Sequence, residues 1–377
     1  MWQRNAFTER LGLRYPIVQG PFGSGLSSPA LLAAVSEAGG LGSFGVQHLG
    51  PEQIRTLGAE LRARTERPFN LNLWVSNHDD GGLALSEAQF AQALARFAPY
   101  YAALGIEPPA MPARYGWRFE EQVEALLDVR PAVFSFVYGI PSASVLDACR
   151  ARGIVTAGAV TTLDEALAMD AAGVDLIVAS GMEAGGHRVS FLRSAEDSLT
   201  GTLALIPQIV DRVRAPVIAA GGIADGRGVA AALMLGAQGV QIGTAFLACE
   251  ESGTTPLHRE QLFSDAARYT ALTRAFSGRL ARGIHNEFVD DWRDRESEIL
   301  PYPIQGWFAG GLRAAALAQR RPGLMSLWSG QAAPLLRHRR ASELFSALVR
   351  ETDAAFGRFA RSGAAHDAST HPEGESA

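Results

Sequence analysis

One histidine closes the run Ser180-Gly-Met-Glu-Ala-Gly-Gly-His187, and its setting is that of a reactive group. The small residues leave room for a ligand to approach the main chain. Imidazole titrates near neutrality, so it can remove or return a proton at physiological pH. The preceding run, Asp175-Leu-Ile-Val-Ala179, reads as a buried strand. His187 therefore stands just past a strand's C-terminal end. A lone histidine is more often structural than catalytic, but the glycine pair and the strand end favour chemistry here.

Two further clusters point to a ligand. Ala219-Ala-Gly-Gly-Ile223 and Gln241-Ile-Gly-Thr244 each end a strand-like run. Glycine exposes backbone N–H groups, and such loops cradle phosphate. Thr244 adds a hydroxyl. One Gly-Gly pair is usually a plain turn; two after consecutive strands predict a phosphate-bearing ligand. In Phe69-Asn-Leu-Asn-Leu-Trp-Val75, alternation puts Asn70, Asn72 and Trp74 on one side. Asparagine is disfavoured in strands and, once buried, needs partners for its amide. Asn72 either bonds to neighbouring strands or faces the heteroatoms of a flat ligand.

These residues need elements to position them. Strand patterns occupy 16–19, 41–46, 69–75, 132–137, 154–159, 176–179, 217–220 and 240–242. Helical patterns occupy 28–38, 51–64, 142–152, 163–171, 203–213 and 227–235, with Pro29 in a first turn and Gly39-Gly40 as a stop. Eight β units with helical crossovers predict a (β/α)8 TIM barrel. An open doubly wound sheet would show a Gly-x-Gly-x-x-Gly turn after its first strand. Gly20-Pro-Phe-Gly-Ser-Gly25 lacks that spacing.

The expected organisation is a barrel over 11–250, a lid-like insertion at 77–118 after the third strand, and a mainly helical C-terminal segment at 251–361. The insertion carries a helical pattern from 86 to 104. Residues 362–377 are small and polar and are expected to be disordered. The chain of 377 residues is 47% hydrophobic, with a net charge of −5. It therefore has no basic footprint for nucleic acid. No apolar run is long enough for a membrane span, and the N-terminus lacks a signal-peptide pattern. Cys149 and Cys249 lack metal-ligand spacing and suit a reducing cytoplasm.

Pro16-Ile-Val-Gln-Gly-Pro21, the Asn72 strand, Glu183-Ala-Gly-Gly-His187, Ala219 to Gly228 and Gln241 to Phe246 occur in that order. Together they resemble the nitronate monooxygenases, formerly called 2-nitropropane dioxygenases. Phe276-Ser-Gly-Arg-Leu-Ala-Arg282 and Leu327-Trp-Ser-Gly-Gln331 are similar to the same group. The resemblance runs from Leu11 to about Leu348. It implies non-covalently bound FMN, with phosphate on the loops holding Gly222 and Gly243-Thr244, and Ile242 among the cofactor-binding residues. It also implies flavin contacts at Asn72, Ser180, Gly185 and Gln241, and His187 as the catalytic residue. Many relatives carry Ala-Pro-Met where this chain has Gly20-Pro-Phe22, which bears on substrate shape.

The expected activity is oxidation of alkyl nitronates, propionate 3-nitronate among them, with O2 to carbonyl products and nitrite or nitrate. The cofactor would carry the electron chemistry. Neutral, His187 could remove the proton alpha to a nitro group; protonated, it could hold a nitronate. Glu183 could orient His187 or cap backbone N–H groups, and the structural role is preferred. His48, His285 and Arg227 stay outside the catalytic set, His48 as a surface-loop histidine and Arg227 as a helix start. A flavin-dependent enoyl reductase using NAD(P)H shares the barrel and the Glu-Ala-Gly-Gly-His run, and is the nearest alternative. A non-catalytic flavin-binding protein is the alternative from another class. The sequence is compatible with a homodimer.

Overall fold

The computed structural model describes residues 2–369, with side chains as far as Arg358. Among the described residues eleven strands occur: β1 (Ile17–Gln19), β2 (Gly42–Gly45), β3 (Phe69–Trp74), β4 (Val133–Val137), β5 (Val155–Val160), β6 (Leu176–Ser180), β7 (Gly186–His187), β8 (Val217–Ala220), β9 (Gly239–Ile242), β10 (Thr270–Thr273) and β11 (Ala281–Ile284). Eight of them form one parallel sheet in the order β1-β9-β8-β6-β5-β4-β3-β2. A bridge between Val18 and Leu41 joins its two edges, so the sheet closes into a (β/α)8 barrel.

Period-two alternation sorts the strand residues. Leu71 and Leu73 of β3 point outward and are fully buried under the helical ring. Asn70 and Asn72 join a polar network with Ser43 and Ser135 of the neighbouring strands. The helices between strands begin where the sequence supplies caps. Ser28 accepts from the Leu31 amide ahead of helix Pro29–Glu37, and Asp225 accepts from Arg227 and Gly228 ahead of helix Gly226–Met234. Helix Ala6–Leu11 carries Phe7 and Leu11 against Val18, Leu41, Val133, Val155, Leu176 and Ile218.

Helix Phe119–Val129 was absent from the expected set, although Phe119, Val123 and Leu126 are buried at helical spacing. It supplies the crossover from β3 to β4. The insertion helix Glu87–Leu104 packs on helix Ile304–Ala318 of the C-terminal segment. Phe97 stacks on Phe308 at 5.1 Å, with Phe288 and Trp292 beside it, in a second apolar core. Burying one such ring contributes about 2–3 kcal/mol.

The C-terminal segment is not purely helical. β10 and β11 pair antiparallel, and β11 pairs with β7, the two-residue strand that carries His187. Thr270 to Ile284 is rich in short and β-branched residues, and its strands are only four residues long, so helical composition around them hid the hairpin. The last helix, Ala341–Ser369, runs into the stretch expected to be disordered. Residues 370–377 of that stretch lie outside the described residues.

Candidate active site

The C-terminal ends of the barrel strands open into a cavity of about 590 Å³. Residues 114–117 of the insertion and several within 302–313 and 324–332 of the C-terminal segment line it too. A cavity of this size suits a cofactor or drug-sized ligand. Among the described residues there is no cluster of three metal-ligating side chains and no helix long and apolar enough to cross a membrane.

One side of the cavity is main chain. β8 is followed by Gly221 and Gly222, with φ of +102° and +70°, a region that side chains rarely adopt. β9 is followed by Gly243 and by Thr244, which opens a short helix. The amides of Gly222 and Gly243 donate to no acceptor in the described chain. A Cβ on Gly243 would meet only the Phe22 ring at 3.9 Å, so the space beside it is open. Thr244 Oγ1 accepts from the Gly330 amide at 2.9 Å and keeps its own proton for a ligand. Ser180 and Gln241 also line the cavity. Ile242 does not: its side chain is fully buried in the core and its carbonyl accepts from the Gly20 amide. Strand alternation turns it away from its neighbours Gln241 and Gly243.

The loop 180–187 is held from several sides. Arg188 is 1% exposed and donates to the carbonyls of Gly181 at 2.7 Å and Ser180 at 2.9 Å. Arg282 donates to the Met182 carbonyl at 3.0 Å. The Glu183 carboxylate accepts from the Thr202 amide and, at 2.8 Å, from the Thr202 hydroxyl, tying the loop to the start of helix Thr202–Val210. That is a structural duty, as its sequence context suggested. Gly185 lines the cavity, but its lack of a side chain answers a different need. A Cβ there would lie 2.4 Å from the Gly330 nitrogen.

His187 also lines the cavity. Pairing of β7 with β11 sets it beside Ser277, with Nε2 to Oγ at 2.8 Å. Trp74 meets the imidazole edge-on at 4.9 Å, and Trp328 lies at 5.3 Å. Behind them Arg279 lies 4.1 Å from the Tyr138 ring centre and 4.7 Å from that of Tyr302. It is paired to Asp79 at 2.7 Å and donates to the Ser76 carbonyl. Burial, and then the Arg279 charge, push the His187 pKa down to about 3. The imidazole is therefore neutral across the physiological range. Of its two expected states, the protonated one is disfavoured in this setting.

Asn70 is used up internally, donating to Ser43 and Ser135 and accepting from the Ser135 amide. Asn72 donates to Ser135 at 3.0 Å, and its amide oxygen makes no bond in the described chain. It lines the cavity with Trp74. His48 also lines it and accepts from the Ser24 amide at Nδ1. His285 pairs with Asp290 away from the cavity, and Arg227 pairs with Asp225 as it starts its helix.

Sequence reasoning assigned no role to Ser277, Arg279, Tyr302 or Trp328. Two of its motifs, Phe276 to Arg282 and Leu327 to Gln331, contain three of them. A spacing of about ninety positions between His187 and Ser277 carries no local signal of contact.

The family described as nitronate monooxygenase matches residues 4–351. A probable nitronate monooxygenase of Staphylococcus haemolyticus is 38% identical, covering 93% of this chain and 98% of its own. One from Staphylococcus aureus is 37% identical over the same shares. The solved nitroalkane oxidase of Streptomyces ansochromogenes superposes with a TM-score of 0.83 at 34% identity, covering 94% of this chain and all of its own. FabK from Thermotoga maritima reaches 0.73 at 28% identity, covering 94% of this chain and 98% of its own. A barrel with this cavity, a histidine at its wall and near full-length likeness lead to one assignment: the chain belongs to the nitronate monooxygenase family.

Proposed function

We propose that this enzyme is an FMN-dependent nitronate monooxygenase that oxidises small alkyl nitronates, propionate 3-nitronate among them, with O2. The carrying observation is an imidazole, His187, lining a cavity whose wall also offers unpaired glycine amides. The residues fit FMN. Gly222, Gly243 and Thr244 would hold its phosphate, because their N–H and O–H groups have no competing acceptor and the space beside Gly243 is open. Asn72, Ser180, Gly185 and Gln241 would border the ring system, with the Asn72 oxygen available to a ring N–H. When bound, FMN supplies the electron acceptor that an electron-rich nitronate needs.

The chain's own residues do the rest. His187 takes the proton alpha to a nitro group, or hydrogen-bonds a nitronate that has already lost it. Trp74, Trp328 and Tyr302 shield that exchange from water. Arg313 lines the cavity and makes no ion pair in the described chain; its one polar contact is the Ser24 carbonyl at 3.3 Å. A cation partly withdrawn from water and lacking a carboxylate favours an anionic ligand, as a carboxylated nitronate is.

Oxygen uptake with propionate 3-nitronate, run beside NADH with an enoyl thioester, tests the reading. Oxygen-dependent turnover of the nitronate is expected. Turnover only of the enoyl thioester would replace it with the reductase reading. Chromatography of heat-released cofactor should return FMN; FAD or no flavin would contradict it.

A further inference from the structure

Ser277 has one hydroxyl proton and three polar neighbours. Its Oγ lies 3.1 Å from the Arg279 carbonyl oxygen, 3.3 Å from the Arg279 amide nitrogen and 2.8 Å from His187 Nε2. The amide can only donate and the carbonyl can only accept. The imidazole nitrogen can do either, according to its tautomer. The carbonyl decides the matter. Ser277 is its sole donor among the described residues, and Arg279 is buried. Turning the hydroxyl toward the imidazole would strand that carbonyl, which a buried backbone group resists strongly. The hydroxyl proton thus belongs to Arg279, and the imidazole must donate Nε2–H. A neutral imidazole has only one N–H, so its lone pair sits on Nδ1. Nδ1 bonds to nothing in the described chain, and the ring lines the cavity.

We propose that Ser277 is a positioning residue that locks His187 as the Nε2–H tautomer, which makes Nδ1 the atom that takes the substrate proton. This rests on the reading of His187 as the base. In the step, the Nδ1 lone pair bonds the proton on the carbon alpha to the nitro group. That C–H bond breaks, and its electron pair stays with the substrate as the nitronate. The imidazolium keeps its Nε2–H on Ser277 throughout, so no hydroxyl has to turn during the transfer. The bond strengthens as its donor becomes charged. In the other tautomer, the only lone pair would point at Ser277 and away from substrate. Burial beside Arg279 keeps the ring neutral and ready to accept.

Long-range ¹H–¹⁵N spectra of the histidine-labelled holoenzyme report the tautomer directly, with His187→Asn assigning the signal. The Nε2–H form is expected in the wild type; an Nδ1–H form would overturn the proposal whatever the activity. Ser277→Ala should give a mixed tautomer and lower kcat for a neutral nitroalkane by roughly 10–10²-fold, a fraction of the full effect of a lost base. A pre-formed nitronate should lose much less, because its proton is already gone. Ser277→Thr keeps the hydroxyl and should restore both the tautomer and most of the rate. Equal losses for the two substrate forms in Ser277→Ala, or an unchanged tautomer there, would overturn the role of Ser277. Nitroalkane turnover untouched by His187→Asn would instead overturn the base reading itself.

Discussion

The glycine cradle and the histidine wall follow opposite building plans. The cradle takes residues 221–222 and 243–244 from adjacent strands and works through main-chain groups left bare. The wall gathers residues 74, 187, 277, 302 and 328 from five separate segments and works through oriented side chains. One needs atoms to be missing, and the other needs atoms to be placed. An added side chain should therefore empty the cradle in one step. Damage to the wall should alter the chemistry while the ligand stays bound.

The largest expected effect breaks the wall alone. His187→Asn should cut nitroalkane oxidation by ~10²–10⁴-fold, the range for loss of a general base. Flavin content, read from the visible spectrum, should hold at the wild-type level. Parallel loss of flavin would mean that the two regions are not independent.

Gly243→Asp attacks the cradle. A carboxylate would stand where bare N–H groups point, and like charges at close range repel by several kcal/mol, so FMN retention should weaken by on the order of 10²-fold. Thermal melting of the apoprotein should barely move, since a Cβ has room there. Flavin remaining after gel filtration measures the effect; wild-type retention would place the phosphate elsewhere.

The third test separates the regions by pH. Amides of the cradle do not titrate, but the wall is backed by His258, 2% exposed and 3.0 Å from the Trp328 carbonyl. Burial lowers its pKa to about 4, below the ~6.5 of an unfolded histidine. The unfolded chain therefore binds the proton first. The stability contribution is complete above pH 6.5 and is lost as pH falls toward 4, by about 1.4 kcal/mol per pH unit. His258→Gln keeps a donor and removes the titration. Urea melts at pH 6.5 and 5 should show about 2 kcal/mol less loss for the variant than for the wild type. Identical losses would move the acid sensitivity elsewhere.

The smallest effect concerns Arg313, a cavity-lining residue outside both regions. Arg313→Ala should raise KM for propionate 3-nitronate by about 10-fold, the scale of one charge-assisted contact. KM for an uncharged-tail nitronate should hold. An equal rise for both would show that Arg313 shapes the cavity and does not read charge.

The cradle was readable in advance and the wall was not, for a physical reason. Gly222, Gly243 and Thr244 stand directly after two strand patterns, so position along the chain is position in space. Ile242 went astray for the same kind of reason: adjacency in sequence put it with Gly243, while strand alternation sends its side chain to the core. His187 was legible from its glycine setting, yet its partners were not. They meet it through the hairpin of β10 and β11, hidden in a segment that reads as helical. Gly185 was read as a clearing beside the ligand; the backbone that excludes a side chain there, Ser329 and Gly330, lies far along the chain.

By itself, the sequence determined the barrel, its caps and the order of its strands, because alternation, helical period and turn chemistry are local properties. It also singled out the histidine and the bare loops. Only the tertiary structure decided what state that histidine is in. Its neutrality comes from burial beside Arg279, its geometry from Ser277, and its aromatic surroundings from Trp74, Tyr302 and Trp328. Those are contacts between distant segments, and a side chain's charge and orientation answer to whatever the fold packs against it.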